Sequence, residues 1–252
     1  MNNLINRTMS YFNFIFLLFV MLNCSAQKAT IYSIGDSTMA DKVNPNENPE
    51  FGWVQVLPSF FTTEVKIHNH AVNGRSSRSF IAEKKWEAVY NSLKSGDYVF
   101  IQFGHNDAKI ADSARYTNPH TAYRHNLIRF VTESRKKGAV PILFSSIARR
   151  NFNENGVLVS THGDYPLEAR LVAQEYKVPF IDLEYFSEQL EMRYGPEKSK
   201  ELHLHFAAGE HPYYKEAKND DTHLSKLGAT EIAKIVAVQL KETNLELKKY
   251  LK

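Results

Sequence analysis

Five residues have the types that acyl transfer requires. They are Ser37 in "YSIGDSTMA", Gly74 in "AVNGRSSRS", Asn106 in "FGHND", and Asp220 with His223 in "NDDTHLSKLG". A serine hydroxyl is a weak nucleophile until a base takes its proton, and neutral histidine does this near pH 7. The histidine needs a carboxylate on its other ring nitrogen, which fixes the tautomer and stabilises the imidazolium. Asp220 and His223 meet that need if both sit on one short loop, with Asp221 competing for the acid's role. A tetrahedral oxyanion needs preorganised donors, and the Ser37 N–H, the Gly74 N–H and the Asn106 amide would supply them. Loss of one such donor costs about 3 to 4 kcal/mol of barrier. The plainer alternatives are an N-cap for Ser37 and a turn residue for Asn106.

These residues need a frame that brings them together across nearly two hundred positions. Runs rich in β-branched and aromatic residues predict strands at 29–34, 64–72, 97–103, 139–146 and 178–183. Between them, "SRSFIAEKKWEAVYNSLKSG" reads as a helix ending at Gly96, and further helices are predicted near 121–137 and 165–176. "SKLGATEIAKIVAVQLKETNLELKKYL" predicts a long closing helix with Ser225 as its N-cap. Alternating strand and helix implies a parallel sheet covered on both faces. The expected fold is α/β, a three-layer α/β/α sandwich on a five-stranded parallel sheet with flavodoxin-like order. Ligands then bind beyond the carboxyl ends of the strands, where the loops after the first three meet.

Composition limits the rest. The chain has 252 residues, 43% hydrophobic and 23% charged, which suits a single domain with a substantial core. A net charge of +3 is too mild to point to nucleic acid. One basic residue, Arg7, precedes an apolar run from Tyr11 to Leu22, too short to span a bilayer comfortably and suited to an export signal. The expected division is a signal peptide over 1–26, cleaved after Ala26, and one domain over 27–252. Lipid attachment at Cys24, the single cysteine, is the alternative. Either processed form leaves no disulfide.

Gly35-Asp36-Ser37, Gly74, Gly104-x-Asn106-Asp107 and Asp220-x-x-His223 resemble, in order and spacing, the four blocks of the SGNH (GDSL-type) hydrolases. Within that group the chain is similar to the rhamnogalacturonan acetylesterases. "GWVQVLP", "NGRSSRSFI", "GDYVFIQFGHND", "THGDYP" and "DDTHLSKLGA" carry the likeness from about residue 29 to 237. The resemblance selects Asp220 over Asp221 as the orienting acid. It implies the SGNH hydrolase fold, a Ser37–His223–Asp220 triad, an oxyanion hole of Ser37, Gly74 and Asn106, and no cofactor. The chain departs from the family's usual pattern at Lys84-Lys85, where Gly-Arg is common, and at Asn73, where a second glycine is common. It lacks Gly-x-Ser-x-Gly, so an α/β-hydrolase elbow does not position Ser37.

Other residues receive more modest assignments. Asp36 and Asp107 are expected to brace loops, and His105 to be packed with a satisfied hydrogen bond. His203, His205 and His211 fit no strong metal signature and are read as loop residues near the cleft, so no metal is expected. Arginine can match a uronate carboxylate with two parallel hydrogen bonds. Of the basic pairs Arg75/Arg78 and Arg149/Arg150, we assign Arg75 and Arg150 to substrate binding. Trp53 and Trp86 are expected in the core. The whole predicts an exported, monomeric serine esterase acting on an acetylated acidic polysaccharide or oligosaccharide. Its alternatives are an esterase for acetylated xylan or a small ester, and a non-catalytic carbohydrate-binding relative.

Overall fold

The computed structural model describes residues 27–252. The expected signal peptide, its cleavage after Ala26 and the Cys24 alternative lie outside the described residues. The central sheet is built from β1 (Ala29–Gly35), β3 (Val65–Asn69), β4 (Tyr98–Gln102), β5 (Val140–Phe144) and β6 (Phe180–Ile181). All pairings are parallel and the spatial order is β3-β1-β4-β5-β6. This is the flavodoxin-like arrangement, with Ile31 opposite Ile67 on one side and Tyr98 on the other.

The period of two along each strand divides the core in two. Phe100, Ile142 and Phe144 enter one cluster, whereas Val99, Ile101 and Leu143 enter the other. The first face is covered by α1 (Trp53–Val56), α6 (Leu183–Lys198) and α7 (Lys226–Lys241) through Trp53, Leu190, Ile232 and Val236. The second is covered by α2 (Ser77–Ala82), α3 (Lys85–Ser92), α4 (Arg124–Lys136) and α5 (Tyr165–Glu175) through Phe80, Trp86, Phe130 and Val172. Each large apolar side chain withdrawn from water this way contributes roughly 1.5–3 kcal/mol. The two tryptophans are fully buried, as expected, with Trp53 Nε1 donating to Gln102 Oε1 at 2.9 Å and Trp86 Nε1 to Glu133. Ser225 caps α7 as expected, accepting from the Gly228 N–H at 3.1 Å.

Three features depart from the sequence reading. The helix expected after Gly74 is two helices, broken at Lys84, whose φ of 57° is left-handed. That backbone explains why a glycine is common there in the related family, since only glycine adopts it without strain. Helix α6 is new, because only a narrow stripe of it, including Leu183 and Leu190, is buried and Gly195 and Pro196 mask its end. The third is a small antiparallel sheet of β2 (Glu50–Phe51), β8 (Lys218–Ser225) and β7 (His203–Phe206), in the order β2-β8-β7. Asp220 and His223 therefore lie on a strand, not on a short loop. Its sequence, KNDDTHLS, is polar and mostly half-buried, so it shows no apolar alternation.

Candidate active site

The turn after β1 holds Ser37. Asp36 accepts from the Thr38 backbone N–H at 2.9 Å and the Thr38 hydroxyl at 2.8 Å, and Gln102 of β4 donates to that hydroxyl at 2.7 Å. A Cβ at Gly35 would lie 2.7 Å from the Gln102 carbonyl, so the turn needs glycine there. No helix starts at Ser37, which removes the N-cap alternative; the chain next turns helical at α1, behind Gly52. Asp36 and Asp107 brace loops as expected. Asp107 accepts from the Ser77 N–H, the Ser77 hydroxyl at 2.6 Å and the Thr117 hydroxyl at 2.7 Å, joining the loop after β4 to the start of α2. Burial pushes its carboxyl up to about 6, against those three donors.

The loops after β1, β3 and β4 meet β8 in a cleft of about 550 Å³, lined among others by Ser37, Gly74, Asn106, Asp220 and His223. Ser37 Oγ lies 3.0 Å from His223 Nε2, and His223 Nδ1 lies 2.8 Å from Asp220 Oδ2. A carboxylate only accepts, so Nδ1 carries the proton and Nε2 presents its lone pair to the serine hydroxyl. Burial opposes ionisation of Asp220. Hydrogen bonds from the His223 ring and from the backbone N–H groups of His223 and Thr222 outweigh it, and hold the carboxyl well below its usual range. Asp221 faces elsewhere, pairing with Arg150 and His205 at 2.8 and 2.7 Å. Geometry thus separates the two neighbouring acids.

Three donors face the same cleft. Among the described residues, the N–H groups of Ser37 and Gly74 donate to no protein acceptor. Gly74 has φ +74°, which turns the backbone toward the cleft at a conformation glycine tolerates. Asn106 uses one amide hydrogen on the Arg75 carbonyl at 3.1 Å, leaving the other.

A residue the sequence reading missed ties this together. The Lys42 side chain is 2% exposed, and its ammonium reaches the Ser37 carbonyl (2.6 Å), Asn73 Oδ1 (2.7 Å) and Glu50 Oε1 (2.8 Å). All three N–H bonds are used, fastening the Ser37 turn to the Gly74 loop and to β2. Nothing in the sequence marks it beyond its place 5 residues after Ser37, and Asn73 lies 31 positions away. His105 is packed and hydrogen-bonded at one ring nitrogen, as expected, but not at the other. Its Nδ1 meets His162 Nε2 at 2.9 Å, but its buried Nε2 has no partner among the described residues. Burial holds both imidazoles below their usual pKa.

The substrate-binding assignments to Arg75 and Arg150 do not match the cleft. Arg75 pairs with Glu83 at 3.0 Å and bonds the Asn73 carbonyl. Arg150 pairs with Asp221, bonds Ser199 Oγ at 3.1 Å and lies over Phe152. The cations that line the cleft are Lys109 and Arg149. His203 and His205 lie on β7, not in a loop, and His203 is buried against Glu191 at 2.6 Å. With His211 they line a separate cavity of about 830 Å³ beside β2.

The chain has relatives among known proteins. Residues 33–230 match the GDSL-like lipase/acylhydrolase family. The chain belongs to that family. It is 41% identical, over 88% of its length and 93% of the relative's, to the rhamnogalacturonan acetylesterase RhgT of Bacillus subtilis. It is 36% identical to the probable rhamnogalacturonan acetylesterase YesY of the same organism, over 86% of this chain and 94% of that one. Among solved structures, protein YxiM of Bacillus subtilis superposes with a TM-score of 0.74 at 25% identity, over 88% of this chain and 58% of that one.

Proposed function

We infer that this protein is a serine esterase that removes O-acetyl groups from rhamnogalacturonan. The observation that carries the reading is the continuous path from Ser37 Oγ through His223 to Asp220, at 3.0 and 2.8 Å, in a cleft with unengaged donors. His223 Nε2 takes the proton as Ser37 Oγ attacks the acetyl carbonyl. The oxyanion is held by the N–H groups of Ser37 and Gly74 and the Asn106 amide. Collapse breaks the bond to the sugar oxygen, and His223 returns the proton to that oxygen as the sugar hydroxyl leaves. Water, deprotonated by His223, then attacks the acetyl-Ser37 ester and releases acetate. Every proton passes through one imidazole, so this chemistry draws on side chains and backbone alone. The substrate class rests on the likeness to RhgT and YesY.

The residue roles, export and a monomeric state belong to this reading. Export is supported by the apolar run from Tyr11 to Leu22 behind Arg7. The test is acetate release from acetylated rhamnogalacturonan by wild type and by Ser37→Ala. Release by wild type that is lost in the variant supports both nucleophile and substrate. Wild-type hydrolysis of acetylated xylan or 4-nitrophenyl acetate, with none of the pectic polymer, overturns the substrate. No turnover of any of these leaves a carbohydrate-binding protein.

A further inference from the structure

The charges around the cleft are not balanced. On one wall, Asp220 is answered by His223 and Lys218, and Glu50 by Lys42. On the other wall stand Lys109 and Arg149, and among the described residues neither makes an ion pair. Arg149 is half-buried and spends its guanidinium on neutral acceptors, Thr161 Oγ1 at 2.9 Å and the His105 carbonyl at 3.2 Å, which fix its plane. Those two bonds leave most of its N–H groups unused. Lys109 is exposed at the rim, and among the described residues its ammonium has no partner. Partial desolvation, with repulsion from Arg115 and Arg149, lowers the pKa of Lys109, and burial lowers that of Arg149. Asp112, itself paired with Arg115, and the buried Asp36 attract Lys109 at a distance, and Asp36 attracts Arg149, but neither acid pairs with either cation. Two like charges kept together with no acid paired to either cost free energy in the empty protein, and a bound anion relieves that cost.

We propose that Lys109 and Arg149 form a subsite for the uronate carboxylate of the substrate, anchoring the acidic sugar so that its acetyl ester meets Ser37. This rests on the function proposed above. Arg149, its plane fixed by Thr161 and His105, offers the planar donor pair that matches a carboxylate. Lys109 supplies a mobile point charge at the entrance. The subsite shares one wall with the oxyanion donor Asn106, three residues before Lys109. Binding the carboxylate therefore orients the ester as well as capturing it.

The experiment compares acetate release from acetylated rhamnogalacturonan oligosaccharides with release from the same oligosaccharides after methyl esterification of their uronates. The enzymes are wild type, Arg149→Met and Lys109→Met. Wild type is expected to show a kcat/KM at least tenfold higher on the anionic substrate, carried mainly by KM, the size of one charge-assisted hydrogen bond. In both variants that preference is expected to fall severalfold toward one, whatever their absolute rates. Arg149→Lys should restore part of it. Lys109 lies on the exposed rim, so its variant remains informative if Arg149→Met fails to fold. Equal kcat/KM of wild type on the two substrates overturns the subsite and leaves the esterase reading intact. A preference that survives undiminished in both variants also overturns it. Wild-type activity on 4-nitrophenyl acetate with none on either oligosaccharide overturns the function proposed above and the subsite with it.

Discussion

The two halves of the proposed active site are built on different physical principles. Ser37, Gly74 and Asn106 sit at the ends of β1, β3 and β4, above a sheet whose central strand residues Val99, Phe100 and Ile101 are fully buried. Their loops inherit the rigidity of that core. Asp220 and His223 sit on β8, a polar strand of a small antiparallel sheet whose residues are mostly half-buried. Their geometry is held by local bonds, in which Asp220 accepts from two backbone N–H groups and from the ring it orients. The nucleophile side is tied into the buried core, by packing and by buried polar contacts such as those of Lys42, whereas the base side is held by local hydrogen bonds on a half-buried strand. Mutations should therefore separate activity from stability on one side and couple them on the other.

The sharpest break should come on β8. His223→Ala is expected to lower kcat by about 10⁴-fold or more, and Asp220→Asn by about 10⁴-fold through loss of the correct tautomer. Both should leave the melting temperature within a few degrees of wild type. Steady-state kinetics with calorimetry on the same samples would show the uncoupling, and a large stability loss in Asp220→Asn would blur the contrast drawn above.

On the sheet side the two quantities should move together. Lys42→Met strands the Ser37 carbonyl, Asn73 and Glu50 without their shared donor. We expect a loss of about 3 kcal/mol in unfolding free energy, measured in urea, and a fall in kcat as the turn loosens. Activity near wild type with stability lost would show that the Ser37 turn holds its own geometry.

Acid should weaken the sheet side through a third route. His105 and His162 have depressed pKa values because burial disfavours their charged forms. The unfolded chain binds these protons more readily, so their contribution to stability is present above about pH 6.5, the unfolded histidine value, and is lost as pH falls below it. Melting temperature followed from pH 7.5 to 5 should decline, with a shallower slope in His162→Gln. Asp220 acts in the same direction only at lower pH, below the ordinary carboxylate range. A pH-independent melting temperature down to 5 would contradict the buried neutral pair.

The smallest expected effect lies far from both. Lys84→Gly relieves a left-handed residue between α2 and α3 and should raise stability by about 1 kcal/mol at constant kcat. Chemical denaturation would detect it, and destabilisation would mean that chain entropy outweighs the strain.

How much was legible in the sequence follows the same division. Strands β1, β4 and β5 were readable because burial on both faces makes them apolar runs, and with β3 beside β1 the strand order placed Ser37, Gly74 and Asn106 together. The identities of Asp220 and His223 were readable from spacing, but their strand was not, because a polar half-exposed ribbon has no alternating pattern. The partners of the candidate substrate-binding cations were illegible for a different reason. Arg75 and Arg150 look free in sequence, yet Glu83 and Asp221, 8 and 71 positions away, engage them. Arg149 was a candidate in sequence as one of a basic pair, but that it and Lys109 line the cleft without an ion pair shows only in the fold. Lys42 was illegible because its three partners lie up to 31 residues away.

The central claim is that Ser37 carries the acetyl group during turnover. Wild-type enzyme should be mixed with acetylated rhamnogalacturonan, quenched in acid within the first turnovers and mapped by peptide mass spectrometry. An acetyl group on Ser37, absent in Ser37→Ala together with acetate release, is the predicted result. Steady acetate release with Ser37 unmodified, or release undiminished in Ser37→Ala, would contradict it.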